Sequence, residues 1–237
     1  MYFTSAMQEQ SDFRTRPEDS GEEALPLPTG TPVYESLTTR FVAFERLLTT
    51  LSDAAHSGYV KLSAPGANGI VLMRDGQLIE TLFRGPHDLQ RGDAAMNSIQ
   101  DAVTGGLGVL DIVALEPGIV DGLHGVASGS PMYPELVASW VNAEGLVKFL
   151  RDRGFSGSLI VSSGGAQGVI IFDHGTVAAA FTTTSRDLAP DEKDVLSLCR
   201  DPQARLEVRE SERRAISGDG TPLASAVSAV VEGEQLA

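Results

Sequence analysis

The chain contains one stretch of sequence twice, and this duplication limits the folds that it can adopt. Residues 58–82 align without a gap with residues 157–181, so that Gly76 corresponds to Gly175 at an offset of 99 residues. The match begins at Gly30–Leu37 (GTPVYESL), which corresponds to Gly129–Leu136 (GSPMYPEL). It keeps its register as far as Asp88 and Asp187. A gapless match over about 60 positions indicates an internal repeat. We therefore predict two homologous units in tandem.

Each unit contains three short apolar runs, which we predict to be antiparallel strands. The second and third runs are joined by Asp75-Gly76 in the first unit and by His174-Gly175 in the second. Such pairs are typical of a type I′ turn, because both central residues of that turn have positive φ. The predicted strands are Tyr59–Ser63, Ile70–Arg74 and Gln77–Phe83, and then Ser158–Ser162, Val169–Asp173 and Thr176–Thr182.

Apolar residues at helical spacing precede these strands, over residues 37–51 and 136–150. Two interpretations remain open: one long helix, or an extended segment that ends near Val42 and Val141 and is followed by a shorter helix. We favour the break, because Gly145 would destabilise a longer helix by about 1 kcal/mol.

The remaining elements of each unit follow from the same patterns. The first helices are expected to end near Ser57 and Ser156, where Gly58 and Gly157 supply C-terminal stops. A second helix, a fourth strand and a closing helix come next. They are Gly92–Thr104, Gly108–Ala114 and Ile119–Ala127 in the first unit, and Asp191–Arg200, Ala204–Arg209 and Leu223–Val231 in the second.

These elements predict an α+β fold of two tandem homologous repeats. Each repeat is helix–three antiparallel strands–helix–strand–helix, and the two pack with pseudo-symmetry across a shared apolar surface. The runs at 70–73 and 169–172 do not alternate with polar residues, which indicates burial on both faces of a sheet. The predicted boundaries are a leader at 1–29, unit 1 at 30–128, unit 2 at 129–233 and a tail at 234–237.

The leader is acidic and contains Pro17, Pro26 and Pro28. A segment of this composition buries too little apolar surface to offset its ordering entropy, so we predict that it is disordered. Its removal is expected to change the melting temperature by less than about 2 °C.

Composition excludes several classes of function. A net charge of −14 and a pI near 4.6 argue against a nucleic-acid surface and against binding to anionic membranes. The single Cys199 excludes an intrachain disulfide and a cysteine-rich zinc site. No apolar run approaches the roughly 20 residues that span a bilayer, and the N-terminus lacks the pattern of a signal peptide. We expect a bacterial cytoplasmic protein without membrane insertion.

Three motifs of the first unit resemble a known family. They are Leu-Leu-x-x-Leu at 47–51, Ser-Gly-x-x-x-Leu at 57–62 and Asp-Gly-x-Leu-Ile at 75–79, followed by a helix. Together they resemble a bacterial domain of unknown function that is similar to the N-terminal (PATAN-like) module of PatA-type response regulators. The resemblance implies a role through protein–protein contacts beside receiver domains, with no catalytic residues. This chain differs in carrying two such units and no recognisable receiver.

The sequence predicts no catalytic, cofactor-binding or metal-binding residues. The run from Ser162 to Gly165 is typical of a hairpin loop, and His174 occupies the turn position that Asp75 holds in the first unit. Asp88 and Asp187 recur before a leucine, which favours capping of a loop or helix over a paired acidic site. The recurring pair Tyr34 and Tyr133 is consistent with buried anchors or, if exposed, with a docking surface. The four histidines show no spacing typical of metal ligands; they are His56, His87, His124 and His174.

We therefore expect a non-catalytic protein–protein interaction or scaffold module of bacterial signalling or motility regulation. Its partners would be proteins, not nucleic acid, and self-association into a homo-oligomer is compatible with the sequence. Two alternatives stay open: a small-ligand sensor that binds between the two repeats, and a roadblock- or longin-like regulator of a small GTPase. A polar pocket between the units would favour the sensor, whereas an exposed apolar patch would favour the interaction module.

Overall fold

The computed structural model describes residues 23–211, which form an α+β fold with two antiparallel sheets and five α-helices. The helices are α1 (Phe44–Asp53), α2 (Gly92–Thr104), α3 (Pro117–Ser128), α4 (Ala143–Asp152) and α5 (Lys193–Ser197). The strands are β1 (Thr31–Thr38), β2 (Gly58–Ala64), β3 (Ala67–Arg74), β4 (Gln77–Arg84), β5 (Leu89–Arg91), β6 (Val109–Ala114), β7 (Ser130–Val137), β8 (Gly157–Ser163), β9 (Ala166–Asp173), β10 (Thr176–Thr182) and β11 (Arg205–Glu210).

The strands are arranged in the same way in the two sheets. Sheet 1 has the order β1-β6-β2-β3-β4-β5, and sheet 2 has the order β7-β11-β8-β9-β10. The register also corresponds, since Gly58 is opposite Met73 in sheet 1 and Gly157 is opposite Phe172 in sheet 2. The short strand β5 extends sheet 1 by one strand.

The two predicted hairpin turns are confirmed. Asp75 and Gly76 have φ of 50° and 78°, and His174 and Gly175 have φ of 48° and 79°. Each turn also lies against the end of the preceding helix: a Cβ added to Gly76 would collide with the carbonyl oxygen of Ser52. Glycine is therefore required at this position both by its backbone conformation and by the close approach of α1.

The predicted first element of each repeat was incomplete, because a strand precedes the helix. Strands β1 and β7 are each followed by a 3₁₀ turn, Thr39–Phe41 or Ala138–Trp140, and the helices begin only at Phe44 and Ala143. The favoured break near Val42 and Val141 is confirmed. The residues that suggested a longer helix include Phe41, which lies on the surface and not in the core.

The helix stops were also predicted at the wrong glycines. Helices α1 and α4 end at Asp53 and Asp152, and the left-handed residues that follow them are Ala55 and Gly154. Gly58 and Gly157 instead begin β2 and β8.

Helix α5 is shorter than the predicted span Asp191–Arg200. The side chain of Asp191 accepts a hydrogen bond from the backbone N–H of Lys193 (3.1 Å), and a turn replaces the expected first residues of the helix. The chain tightens into a 3₁₀ turn at Leu198–Arg200. The predicted closing helix of unit 1 is confirmed as α3, whereas Leu223–Val231 lies outside the described residues.

Apolar side chains form three cores in successive layers. One lies between sheet 1 and helices α1 and α2, and another between sheet 2 and helices α4 and α5. The central core lies between the two sheets and contains α3, with side chains from both. Gly122 of α3 packs so closely on Ile171 of β9 that a Cβ atom would have no space. Each sheet is therefore covered on both faces, as the continuous apolar runs predicted.

Residues 23–29, which we call the strap, correct the prediction of a disordered leader that extends to residue 29. Leu25 and Leu27 are buried in the central core, and the Tyr59 hydroxyl donates a hydrogen bond to the carbonyl of Pro28 (2.9 Å). The backbone N–H of Ala24 donates to Oδ1 of Asn68 (3.1 Å). Two leucines in alternate positions thus pack into the core, and the hydrogen bonds join the strap to sheet 1. Residues 1–22 lie outside the described residues.

The turn at Gly76 provides a first test. We expect Gly76→Ala to reduce the free energy of unfolding by about 1–3 kcal/mol more than Gly66→Ala, because only Gly76 meets backbone atoms of α1. Gly66 is the matched control, since its φ of 71° is similarly left-handed and nothing lies within 4 Å of an added Cβ. Urea denaturation of both variants measures the difference. Equal losses would show that the contact with α1 imposes no constraint.

The strap provides a second test. Leu27 has only 2% of its surface exposed. We expect Leu27→Ala to lower the free energy of unfolding by about 2–5 kcal/mol. The control is Leu107→Ala at an exposed leucine, for which we expect a change within about 0.5 kcal/mol. If thermal and chemical denaturation show both substitutions to be neutral, the strap does not contribute to the core.

Candidate functional site

Ser163, in the run that the sequence assigned to a hairpin loop, has a structural partner. Ser163 lies at the end of β8 and donates to the carboxylate of Asp201 (2.7 Å), which lowers the pKa of Asp201. The turn after it places Gly164 and Gly165 at positive φ, as expected for a hairpin loop. Within residues 23–211, no three His, Cys, Asp or Glu side chains are grouped so that they could hold a metal ion.

The recurring aspartates occupy loops, as the sequence suggested. Asp88 accepts a hydrogen bond from the side chain of Gln90 (3.2 Å), and its carbonyl accepts from the backbone of Gly85. Asp187 accepts from the hydroxyl of Ser185 (3.4 Å). Each aspartate therefore organises its own loop.

The two recurring tyrosines differ in their surroundings. Tyr34 of β1 is exposed, whereas Tyr133 of β7 packs partly buried against the outer core of sheet 2. Because only Tyr34 is exposed, the two tyrosines do not form the paired docking surface that the sequence left open.

A different aromatic pair is exposed at equivalent positions in both halves of the chain. Phe41 is 84% exposed and Trp140 is 79% exposed, and each is the last residue of the 3₁₀ turn that follows an edge strand. The two residues are aligned in the sequence and fit the helical spacing of residues 37–51 and 136–150, whereas the favoured break places them in the extended segments that end near Val42 and Val141. Their position shortly before the helix N-caps, Ala43 and Asn142, is the local signal that could have separated them from the core.

Acidic side chains accompany both aromatics. Glu45 and Glu144 lie four residues after Phe41 and Trp140, in the first turns of α1 and α4, and both are exposed. Their carboxylates are favourably placed at helix N-termini. Glu45 also accepts a hydrogen bond from Gln100 of α2 (3.0 Å). Each half thus combines an exposed aromatic with a nearby exposed carboxylate.

A polar cleft of about 380 Å³ lies beside the strap, where the two halves of the chain meet. Its wall includes Lys61 of β2 and Asp111 of β6, which are opposite each other in the sheet, and Arg186 from the loop after β10. Lys61 and Arg186 both donate to Oε1 of Glu23, at 2.8 Å and 2.7 Å. Glu23 of the strap therefore joins sheet 1 to the second half of the chain through two ion pairs.

Comparison of the chain with protein-family models, with curated proteins and with solved structures finds no match. Among residues 23–211, no helix combines the length and the apolar character needed to cross a membrane. The fold and the two surface features therefore define the candidate sites without help from a relative.

A third prediction concerns His56, whose imidazole is buried and occupies the place that Phe155 holds in the second half. Burial lowers the pKa of His56, and a hydrogen bond to the backbone of Val113 only partly opposes this. Its folded-state pKa thus lies below the unfolded value of about 6.5, so stability should fall as the pH drops below about 6.5.

The variant His56→Phe should remove this part of the pH dependence. As the pH is lowered from 7.5 to 5.5, we expect the wild type to lose more stability than the variant, so the difference in free energy of unfolding shifts in favour of the variant. Other titrating groups, such as Asp121, are common to both proteins and cancel in the comparison. Parallel stability curves for the two proteins would refute the assignment.

Proposed function

We propose that this chain is a non-catalytic, cytoplasmic protein-interaction module of bacterial signalling, with one contact site in each of two pseudo-symmetric repeats. The observation that carries the proposal is the exposure of Phe41 and Trp140 at equivalent positions. The resemblance to PATAN-like modules favours the same role and remains a prediction.

The repeat relationship is supported by three independent correspondences. The two units, 30–128 and 129–233, match in sequence at a constant offset from residue 30 as far as residue 88. Their strands also occupy the same places in the two sheets, and their hairpins share the same register and turn conformation. A single exposed apolar side chain needs no functional explanation. An exposed aromatic that recurs at the same position of both units does.

The exposure of these aromatics is an energetic cost to the isolated chain. A large aromatic side chain left in water forgoes about 1.5–3 kcal/mol of the stabilisation that burial would provide. Aromatic residues, tryptophan above all, are also enriched among the residues that dominate binding energy at interfaces. Burial of Phe41 and Trp140 by a partner would recover this stabilisation.

The charge of the chain favours a partner of opposite charge. The net charge of −14 favours a basic protein, and Glu45 and Glu144 place carboxylates in the same regions as the aromatics. A lysine or arginine stacked on an aromatic ring gains a cation–π interaction in addition to its ion pair. Two sites on one chain also raise the avidity for a partner that presents two such side chains.

The experiment captures proteins from native lysate and identifies them by quantitative mass spectrometry. Four baits are compared: the wild type, Phe41→Ala, Trp140→Ala and the double variant. The control is Phe149→Ala, which removes a half-exposed phenylalanine of α4 that lies under the guanidinium of Arg153. The purified partner is then titrated calorimetrically at two salt concentrations.

We expect a basic partner whose affinity falls by about tenfold or more in each single variant and further in the double variant. The affinity should also fall with added salt, whereas Phe149→Ala should bind like the wild type. The stability of the aromatic variants should stay within about 0.5 kcal/mol of the wild type, because both side chains are on the surface. Identical capture by the wild type and the double variant would overturn the proposal.

A further inference from the structure

Two charged side chains of the polar cleft are buried. Lys61 and Asp111 are only 4% and 7% exposed, yet they lie on the face of sheet 1 that otherwise contributes apolar side chains to the central core. Burial of charges is costly unless each is compensated. In the second half of the chain, Ile160 stands at the position of Lys61 and belongs to the central core, which shows that this fold accepts an apolar residue there.

The buried and half-buried charges around the cleft balance one another, and the further carboxylate of the wall, Glu35, is exposed to solvent. Lys61 and Arg186 are cations, Glu23 and Asp111 are anions, and Glu23 is held by both cations through Oε1. A ligand that carries a net charge would upset this balance in a region of low exposure, whereas a ligand with one positive and one negative group would preserve it. Cations and anions on the same cleft wall thus favour a zwitterion.

The backbone at the cleft is also constrained. Ser36 of β1 has a φ of 53°, an uncommon conformation for a residue with a side chain, and its backbone N–H donates to Oδ1 of Asp111 (2.8 Å). The pairing of β1 with β6 is irregular between Tyr34 and Leu37. Strain of this kind clusters at ligand-binding sites, and here it shapes the edge strand where it borders the cleft.

We propose that the cleft binds a free α-amino acid. The carboxylate of the ligand is received by Lys61 and Arg186, in competition with Glu23, and its ammonium group is received by Asp111, with the exposed Glu35 at the rim. The volume of about 380 Å³ lies in the range of small-molecule sites. Because Arg186 comes from the second half of the chain and Lys61 from the first, a bound ligand would tie the two halves together.

The test uses the full chain and each standard L-amino acid as a probe, first by thermal unfolding and then by equilibrium dialysis with the radiolabelled compound. We expect one amino acid, or a group with related side chains, to raise the melting temperature saturably and to bind with a Kd below about 1 mM. The N-acetyl and the amide derivatives of that amino acid should bind at least about tenfold more weakly, because each lacks one charge. This comparison requires no change in the protein.

Two substitutions locate the site. Arg186→Gln and Asp111→Asn should each weaken binding by at least about tenfold, whereas Glu207→Gln, at the position of β11 equivalent to Asp111, should leave it unchanged. If Asp111→Asn fails to fold, Glu35→Gln at the exposed rim replaces it, with a smaller loss expected. The proposal is overturned if no amino acid binds in this range, if a derivative that lacks a charge binds equally well, or if Glu207→Gln weakens binding as much as Arg186→Gln.

Discussion

The burial of α3 between the two sheets is the interaction on which the rest of the structure depends. Its apolar residues contact strands of both sheets, so the two halves of the chain share the central core. Arg91 of β5 and Arg209 of β11 donate to the carbonyls of Ala127 and Val126, each at 2.8 Å. Two guanidinium groups, one from each sheet, therefore bind the negative end of the helix dipole. Packing holds α3 between the sheets, and these hydrogen bonds fix it along its axis.

The two halves differ where the first half carries polar groups inside the frame that they share. His56 stands where the second half has Phe155, and Lys61 stands where it has Ile160. Both positions in the second half are apolar and buried, so the fold tolerates hydrophobic residues there. The second half therefore serves as an internal reference for the cost of burying polar groups in the first half.

Local chemistry explains which elements could be predicted from the sequence. The Asp75-Gly76 turn was predictable because positive φ at both positions is a property of those residues and needs no distant contact. The break before α4 was predictable because Gly145 disfavours a longer helix. In the structure, Asn142 caps α4, and its Oδ1 accepts a hydrogen bond from the backbone N–H of Gly145 (2.9 Å). The two-sided burial of the strands was evident in their continuous apolar runs.

The features that the sequence did not reveal depend on tertiary contacts. The strap has the composition of a disordered leader, and only a groove between two sheets makes its leucines buried. Phe41 fits a helical spacing in sequence but belongs to a turn on the surface. The cleft combines residues of the strap, β2, β6 and the loop after β10, which are separated by up to 163 positions along the chain. No local pattern links residues so far apart.

Within residues 23–211, strands β1 and β7 are edge strands next to the exposed aromatics, and both are poor templates for a further strand. Proline occurs at position 32 in β1 and at positions 131 and 134 in β7, and the pairing of each with its neighbour contains register shifts. Proline and bulges prevent a second chain from adding to a sheet edge. The edges that border Phe41 and Trp140 therefore disfavour the open-ended stacking of chains that leads to fibres.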